Sequence, residues 1–70
     1  MIQKRSVKIA RHSTSVSLEK EFWAALQEIA RRREQSLASL IAAADTKRAG
    51  NLSSALRLLV LDAYRSKELT

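Results

Sequence analysis

The chain has 70 residues, a net charge of +6 and 46% hydrophobic residues, but no cysteine, no proline and only one glycine. This composition excludes disulfides and thiolate metal sites, and the chain has no run of about 20 apolar residues that would span a membrane. A single domain of this size buries only about 60% of the surface that its unfolded chain exposes, so we expect a second copy to contribute to stability.

Charge is distributed unevenly along the sequence. Residues 1–18 contain 4 of the 13 lysines and arginines and no acid, whereas the 7 acids and the other 9 basic residues lie in residues 19–70. A basic N-terminal segment attached to a nearly neutral chain indicates a polyanionic partner. The alternative is that the segment is a solvated tail whose charge only keeps the protein soluble. Because Lys8 separates the apolar residues Val7 and Ile9, the segment lacks the core of a secretory signal, and we expect a cytoplasmic protein.

One segment near the N terminus alternates between polar and apolar residues. Thr14, Val16 and Leu18 lie at every second position with serines between them, which predicts a strand over residues 11–18. Val7 and Ile9 also alternate, but with the opposite parity. A bulge or bend near residues 10–12 would reconcile the two segments; otherwise residues 1–9 form a separate basic arm.

Three helices are predicted downstream, over residues 19–33, 36–48 and 51–66. Each has an apolar stripe at helical spacing, and each follows a polar residue that can cap its N terminus. These capping residues are, in order, Ser17, Ser36 and Asn51.

The end of the second helix and the surface of the third carry further signals. Gly50, the only glycine, is expected to adopt a left-handed conformation where the second helix ends. The third helix is apolar around much of its circumference. Burial of its outer residues Leu58 and Leu61 requires a second apolar surface that packs against them, and a partner subunit is the simplest source of that surface.

The sequence offers no catalytic constellation. It has one histidine, no glycine-rich phosphate loop and no carboxylates spaced for a shared site, and its serines lack a base that would activate them. We therefore expect neither an enzyme nor a bound metal or cofactor. Trp23 is expected to pack against the second helix or a neighbouring subunit, because a platform for single strands would need several spaced aromatics.

The alternating strand is the strongest functional signal. Isolated two-stranded ribbons are barely stable, and only helices follow this strand, so we expect its partner to come from a second copy, with a two-fold axis near Ser15. A two-stranded ribbon fits the DNA major groove, where arginine and hydroxyl groups can read bases. The predicted base-reading residues are Arg11, Ser13, Ser15 and Ser17. The alternative is a half-buried edge strand whose serines only face solvent.

Other basic and polar residues are predicted to contact phosphates. Lys4, Arg5 and Lys8 lie beside the strand and are expected near the DNA backbone. A helix N terminus also holds phosphate through its free N–H groups, and we favour the helix start at Asn51 and Ser53. At the Ser36 start, the acid Glu34 would repel phosphate. Ordinary helix capping is the alternative explanation for Asn51.

Three stretches resemble a known family: residues 14–23 (TSVSLEKEFW), residues 50–60 (GNLSSALRLLV) and residues 5–9 (RSVKI). They are similar to the ribbon-helix-helix family of bacterial repressors and antitoxins, in particular to short single-domain members. The resemblance implies a mostly α fold in which one N-terminal β-strand pairs across a homodimer and two or three helices follow. It also implies that strand residues read bases and that a helix N terminus holds a backbone phosphate.

The spacing of the helices departs from that family. Its two helices are usually joined by a brief turn, whereas residues 34–49 of this chain are themselves helix-like. Two alignments follow. The second helix of the family begins at residue 51, or it begins at Ser36, in which case residues 52–64 form an added third helix and Ser36 holds the phosphate.

The sequence thus predicts a homodimer that binds double-stranded DNA sequence-specifically and regulates transcription, as a repressor. The alternative is a helical interaction module, such as an antitoxin-like or adaptor subunit, whose protein partner contacts Leu58 and Leu61 on helix 3. Salt separates the two functions, because DNA binding through lysines and arginines weakens steeply with added salt and an apolar interface barely responds.

Overall fold

In the computed structural model, which describes residues 1–9, 12–47 and 50–69, an antiparallel hairpin precedes three helices. The elements in chain order are β1 (Ile2–Ile9), β2 (His12–Glu19), α1 (Lys20–Arg32), α2 (Leu37–Lys47) and α3 (Leu52–Arg65). The three helices differ from their predicted bounds by one residue at each end. The N-terminal ribbon followed by helices is the architecture that the sequence predicted.

The N-terminal segment corrects the sequence-based interpretation, because it is a strand and not a separate arm. β1 pairs with β2 in an antiparallel register that places Ile2 opposite Glu19 and Ile9 opposite His12. In this register odd residues of β1 share a face with even residues of β2. The opposite parity of the two segments therefore requires no bulge, and β2 obtains its partner strand from its own chain.

One face of the hairpin, here called the inner face, packs against the helices. Its buried residues are Val7, Ile9, Val16 and Leu18. β1 contacts α2, and β2 contacts α1 and α3. The helices contribute the rest of the core, whose buried residues include Trp23, Leu26, Ile29, Leu40, Ile41, Leu56 and Val60. Burial of apolar residues at alternate strand positions is the reason that this two-stranded sheet is stable within one chain.

Two of the three predicted N-caps are confirmed. The Asn51 side-chain oxygen accepts a hydrogen bond from the Ser54 amide at 2.7 Å, and the Ser36 hydroxyl accepts one from the Ser39 amide at 3.0 Å. The prediction for Ser17 is wrong. Ser17 lies in β2 opposite Lys4, and Glu19 occupies the N-cap position of α1 without a side-chain capping bond.

The left-handed positions also differ from the prediction. Gly50 does not have a positive φ angle, whereas Glu34 has φ 55° and Lys67 has φ 65°. Glu34 follows α1, where its amide bonds to the Arg31 carbonyl at 3.1 Å and the Gln35 amide bonds to the Ala30 carbonyl at 3.0 Å. This pair of bonds closes the helix as a Schellman motif, which requires a left-handed residue at the position of Glu34.

Candidate nucleic-acid interface

The face of the hairpin that points away from the helices, here called the outer face, is polar and basic. Its residues follow directly from the register, which places Lys4 opposite Ser17, Ser6 opposite Ser15 and Lys8 opposite Ser13. All are exposed except Ser17, which is half-buried. The fold thus brings the three predicted base-reading serines onto one surface with both lysines that were predicted to contact phosphates.

Ser6 is a member of this surface that the sequence analysis missed. It lies between Lys4 and Lys8 on β1 and directly opposite Ser15 at the centre of the outer face. Its side chain is exposed. The signal was present in the sequence, because Ser6 has the same parity as the two lysines and would share their face in any strand.

Arg5 lies on the other face of β1. Its guanidinium is 5.0 Å from the centre of the Trp23 ring, and the Trp23 indole Nε1 donates a hydrogen bond to the Gln3 carbonyl at 3.0 Å. Trp23 is 1% exposed. The indole therefore packs in the core beside β1, where it contacts the N-terminal strand that the sequence analysis did not recognise.

The remaining predicted site residues are not part of this surface. Arg11 lies outside the described residues. Asn51 and Ser53 lie at the start of α3, and no hydrogen bond of the described residues connects either of them to the hairpin. The Asn51 side-chain oxygen is engaged in capping, so the donors that remain for an anion at this helix start are backbone N–H groups, the Asn51 side-chain NH2 and the Ser53 hydroxyl.

The arginines at the end of α1 are neutralised by acids. Glu28 bonds to Arg31 at 2.6 Å and to Arg32 at 2.7 Å, and these hydrogen bonds lower the pKa of Glu28 to about 2. Glu68 bonds to Arg33 at 2.6 Å, a contact that lowers the pKa of this carboxyl group. The run of three arginines at the end of α1 is thus paired with carboxylates.

The hairpin cations differ from those arginines. Across the described ranges of the chain, Lys4, Arg5 and Lys8 make no ion pair with a carboxylate. Glu19, the acid at the far end of β2, bonds to Arg57 of α3 at 3.1 Å, and a backbone hydrogen bond together with the one from Arg57 lowers the pKa of Glu19. The positive charge of the hairpin is therefore available to an external anion.

A comparison with protein families agrees with this architecture. The family model of the ribbon-helix-helix domain matches residues 2–64, from the start of β1 to the last turn of α3. The chain belongs to the ribbon-helix-helix family. No curated protein and no solved structure matches the chain. The ribbon-helix-helix fold is a DNA-binding fold without enzymatic activity, and its members generally form dimers.

In this ribbon-helix-helix protein the helices leave an apolar surface uncovered, here called the α3 surface. It consists of Leu58, Leu61 and Tyr64, which are 57%, 49% and 54% exposed. Beside it lies a groove of about 340 Å³ between α2 and α3, lined by residues that include Ala44, Ala55, Leu59 and Asp62. Among the described residues, no helix is long and apolar enough to cross a membrane.

Proposed function

We propose that this ribbon-helix-helix protein binds double-stranded DNA by inserting the outer face of its hairpin into the major groove. The observation that carries the proposal is a row of serines flanked by Lys4 and Lys8, neither of which makes an ion pair among the described residues. Free cations release counterions when they contact phosphates, which supplies affinity. Short hydroxyl side chains can donate to or accept from the edges of several bases, which supplies specificity.

The width of the hairpin indicates that each DNA major groove accommodates the hairpin of one chain. Neighbouring strands lie about 4.8 Å apart, so a two-stranded hairpin enters a major groove about 12 Å wide. If two hairpins joined edge to edge into four strands, the outer backbones would lie about 14 Å apart, which exceeds that width before side chains are added. We therefore infer that the reading ribbon is the hairpin of a single chain and not a ribbon between two chains.

The proposed roles follow the two faces of the hairpin. Ser13, Ser15 and Ser17 face base edges, and Arg11 is proposed to read bases with them. Lys4 and Lys8 flank the serines and reach phosphates at the groove edges, as does Arg5 from the inner face. The backbone N–H groups of Asn51 and Ser53 form a separate phosphate contact at the start of α3.

The proposed biological unit is a homodimer that represses transcription in the cytoplasm. Two copies would place two hairpins on successive half-sites, and the α3 surface is the apolar area available for contact between them. Contact across this surface would cover Leu58, Leu61 and Tyr64, which a single chain leaves exposed.

Selection of bound fragments from a random duplex pool tests the proposal, with an inverted pair of short half-sites as the expected product. Fluorescence anisotropy on the selected duplex then gives the slope of log K against log salt concentration. The double variant Lys4→Ala, Lys8→Ala should reduce that slope by about 1.8 per protomer, because each phosphate contact contributes about 0.9. Arg65→Ala, on α3, is the matched control and should leave the slope unchanged.

Two results would overturn the proposal. One is the absence of any enriched duplex together with no salt-dependent binding to DNA. The other is a loss of slope per removed charge that is equal for Arg65→Ala and for the hairpin double variant, which would show that binding follows net charge and not the hairpin.

The α3 surface favours a second candidate function, which is an interaction module for another protein. Leu58→Ser with Leu61→Ser would then abolish binding of that partner at both low and high salt, because apolar interfaces respond weakly to ionic strength. The hairpin variant would bind the partner normally. Under the DNA-binding proposal, the same α3 variant dissociates the homodimer and leaves the hairpin intact.

A further inference from the structure

Arg5 is held differently from the other arginine that stacks on an aromatic ring. The Arg57 guanidinium is 5.8 Å from the centre of the Phe22 ring, but it also donates to Glu19, which occupies its hydrogen-bonding edge. Arg5 lies 5.0 Å from the centre of the Trp23 ring, and within the described part of the chain its guanidinium contacts no carboxylate. The side chain is exposed although the ring is buried.

This arrangement leaves the hydrogen-bonding edge of Arg5 unoccupied. A ring that contacts the flat face of a guanidinium restrains the plane of the group, and the N–H donors remain at its edge. Two parallel N–H donors in that edge match a phosphate or a carboxylate. Arg5 therefore has the indole on one side, and no hydrogen bond with a described residue occupies its N–H donors, which can bind an oxyanion.

Trp23 also fixes the backbone that carries Arg5. Its Nε1 donates to the carbonyl of Gln3, two residues before Arg5 on the same strand and face. One side chain of α1 thus bonds to the β1 main chain and also lies beside the Arg5 guanidinium. Because the inner face points away from the groove floor, an anion bound by Arg5 would lie at the edge of the groove.

We propose that Trp23 is a positioning residue that orients Arg5 for a two-pronged contact with a backbone phosphate at the groove edge. The inference rests on the proposed DNA-binding function and assigns different roles in DNA binding to the two faces of β1. The outer face reads bases, and Arg5 on the inner face sets the position of the hairpin in the groove. Trp23 itself does not contact DNA.

The first test uses the free protein, so that it does not depend on DNA. NMR relaxation of the Arg5 Nε–Hε group should show a higher order parameter than that of Arg65, an exposed arginine that makes no ion pair in the described ranges. The Arg5 signal should also be shifted upfield by the indole ring. Trp23→Leu should lower the order parameter and remove the ring shift. Equal mobility of Arg5 and Arg65 in the wild-type protein would overturn the positioning role.

The second test is a double-mutant cycle on the selected duplex, at a temperature where circular dichroism shows every variant to be folded. Arg5→Ala should weaken binding on the order of tenfold and reduce the salt slope by about 0.9 per protomer. Trp23→Leu should weaken binding about two- to fivefold with Arg5 present, and less than twofold in the Arg5→Ala background. Arg5→Lys should keep the salt slope but lose affinity, because lysine has no planar pair of donors.

Phe22→Leu is the matched control, because it removes the neighbouring aromatic ring without touching Arg5. It should leave DNA affinity within twofold of the wild type. A loss from Trp23→Leu that is the same with and without Arg5 would overturn the inference and show that Trp23 only stabilises the fold. Absence of duplex binding by the wild-type protein would instead overturn the proposed function, a result that the NMR measurement separates from failure of the positioning role.

Discussion

Replacement of Ile9 by alanine tests whether the N-terminal segment is a strand packed on the helices. Ile9 is 5% exposed on the inner face of β1. Truncation of a buried isoleucine to alanine costs about 2–5 kcal/mol, and we expect about 3 kcal/mol here because the site lies near the end of the strand. A chain of this size has a free energy of unfolding of roughly 4–10 kcal/mol, so the variant should lose a third or more of its stability.

Urea unfolding gives the measurement directly, because Trp23 is the only tryptophan and is 1% exposed in the folded chain. Its fluorescence should shift to the red on unfolding. With a denaturant slope of about 1–1.5 kcal/mol per molar, the midpoint of Ile9→Ala should fall by about 2–3 M urea. Protein concentration must be equal in all samples, because dimerisation would add to the apparent stability.

Ile2→Ala is the matched control, since Ile2 lies on the same strand but is 56% exposed. It should change the free energy of unfolding by no more than about 0.5 kcal/mol. If residues 1–9 were a free basic arm, Ile9→Ala would behave like Ile2→Ala. Coincident unfolding curves for the two variants would therefore refute the packing of β1 on α2.

Three further predictions concern helix ends and pH. Glu34→Gly should raise the free energy of unfolding by about 1 kcal/mol, measured as an increase in Tm of about 4–8 °C, because glycine adopts the left-handed conformation without steric cost. Asn51→Ala should lower it by about 1 kcal/mol in urea titrations, because the Ser54 amide loses its capping oxygen. Hydrogen bonds from Arg31 and Arg32 lower the pKa of Glu28 from its ordinary value of 4.5 to about 2, so its contribution to stability is present above about pH 4.5 and is lost as the pH falls toward 2. Acid titration of Glu28→Gln should show a shallower loss of stability in that range.

Each of these three predictions has a control within the chain. Lys67→Gly should behave like Glu34→Gly, because Lys67 also has a positive φ angle. Ser17→Ala should not reproduce the loss seen for Asn51→Ala, because Ser17 caps no helix. The double variant Arg31→Gln, Arg32→Gln should show the same shallower acid response as Glu28→Gln, because it removes the hydrogen bonds that lower the pKa of Glu28. An unchanged acid response in Glu28→Gln would contradict the role of its arginine contacts.

The helices were predictable because their signals are local. Asn51 and Ser36 each bond to an amide three residues ahead, so the residues that set the helix start lie within one turn of it. The apolar stripe of α3 is likewise visible in the sequence, as is its excess of apolar surface. These features depend on neighbours in sequence and require no knowledge of the tertiary fold.

The hairpin was not predictable as a unit because the sequence between its two strands contains no recognisable turn signal. Ile9 pairs with His12, which leaves only residues 10 and 11 between the strands. Two-residue hairpin turns are usually signalled by Asn-Gly, Asp-Gly or another glycine pair, and neither residue here is glycine. Without a turn signal, the change of parity between Val7 and Val16 indicated a bend or an arm. It is in fact the consequence of antiparallel pairing.

The candidate site was predictable in composition but not in its electrostatics. Charge counting placed the basic excess in residues 1–18, yet it could not show which arginines are paired. Arg33 bonds to Glu68, which is 35 residues away, and only the folded chain brings the two together. The fold thus neutralises the arginine run of α1, whereas Lys4, Arg5 and Lys8 make no ion pair with any described residue.

The intrachain hairpin changes what a dimer would contribute to DNA binding. A ribbon built between two chains exists only in the dimer, so a monomer of that kind would have no reading surface. Here β1 and β2 form the outer face within one chain, and dimerisation would set the spacing between two complete ribbons. Under the proposed function, a variant with a disrupted α3 surface should therefore retain weak binding to a single half-site and lose only the gain from joining two. Complete loss of half-site binding in that variant, with the hairpin still folded, would indicate that the reading surface needs both chains.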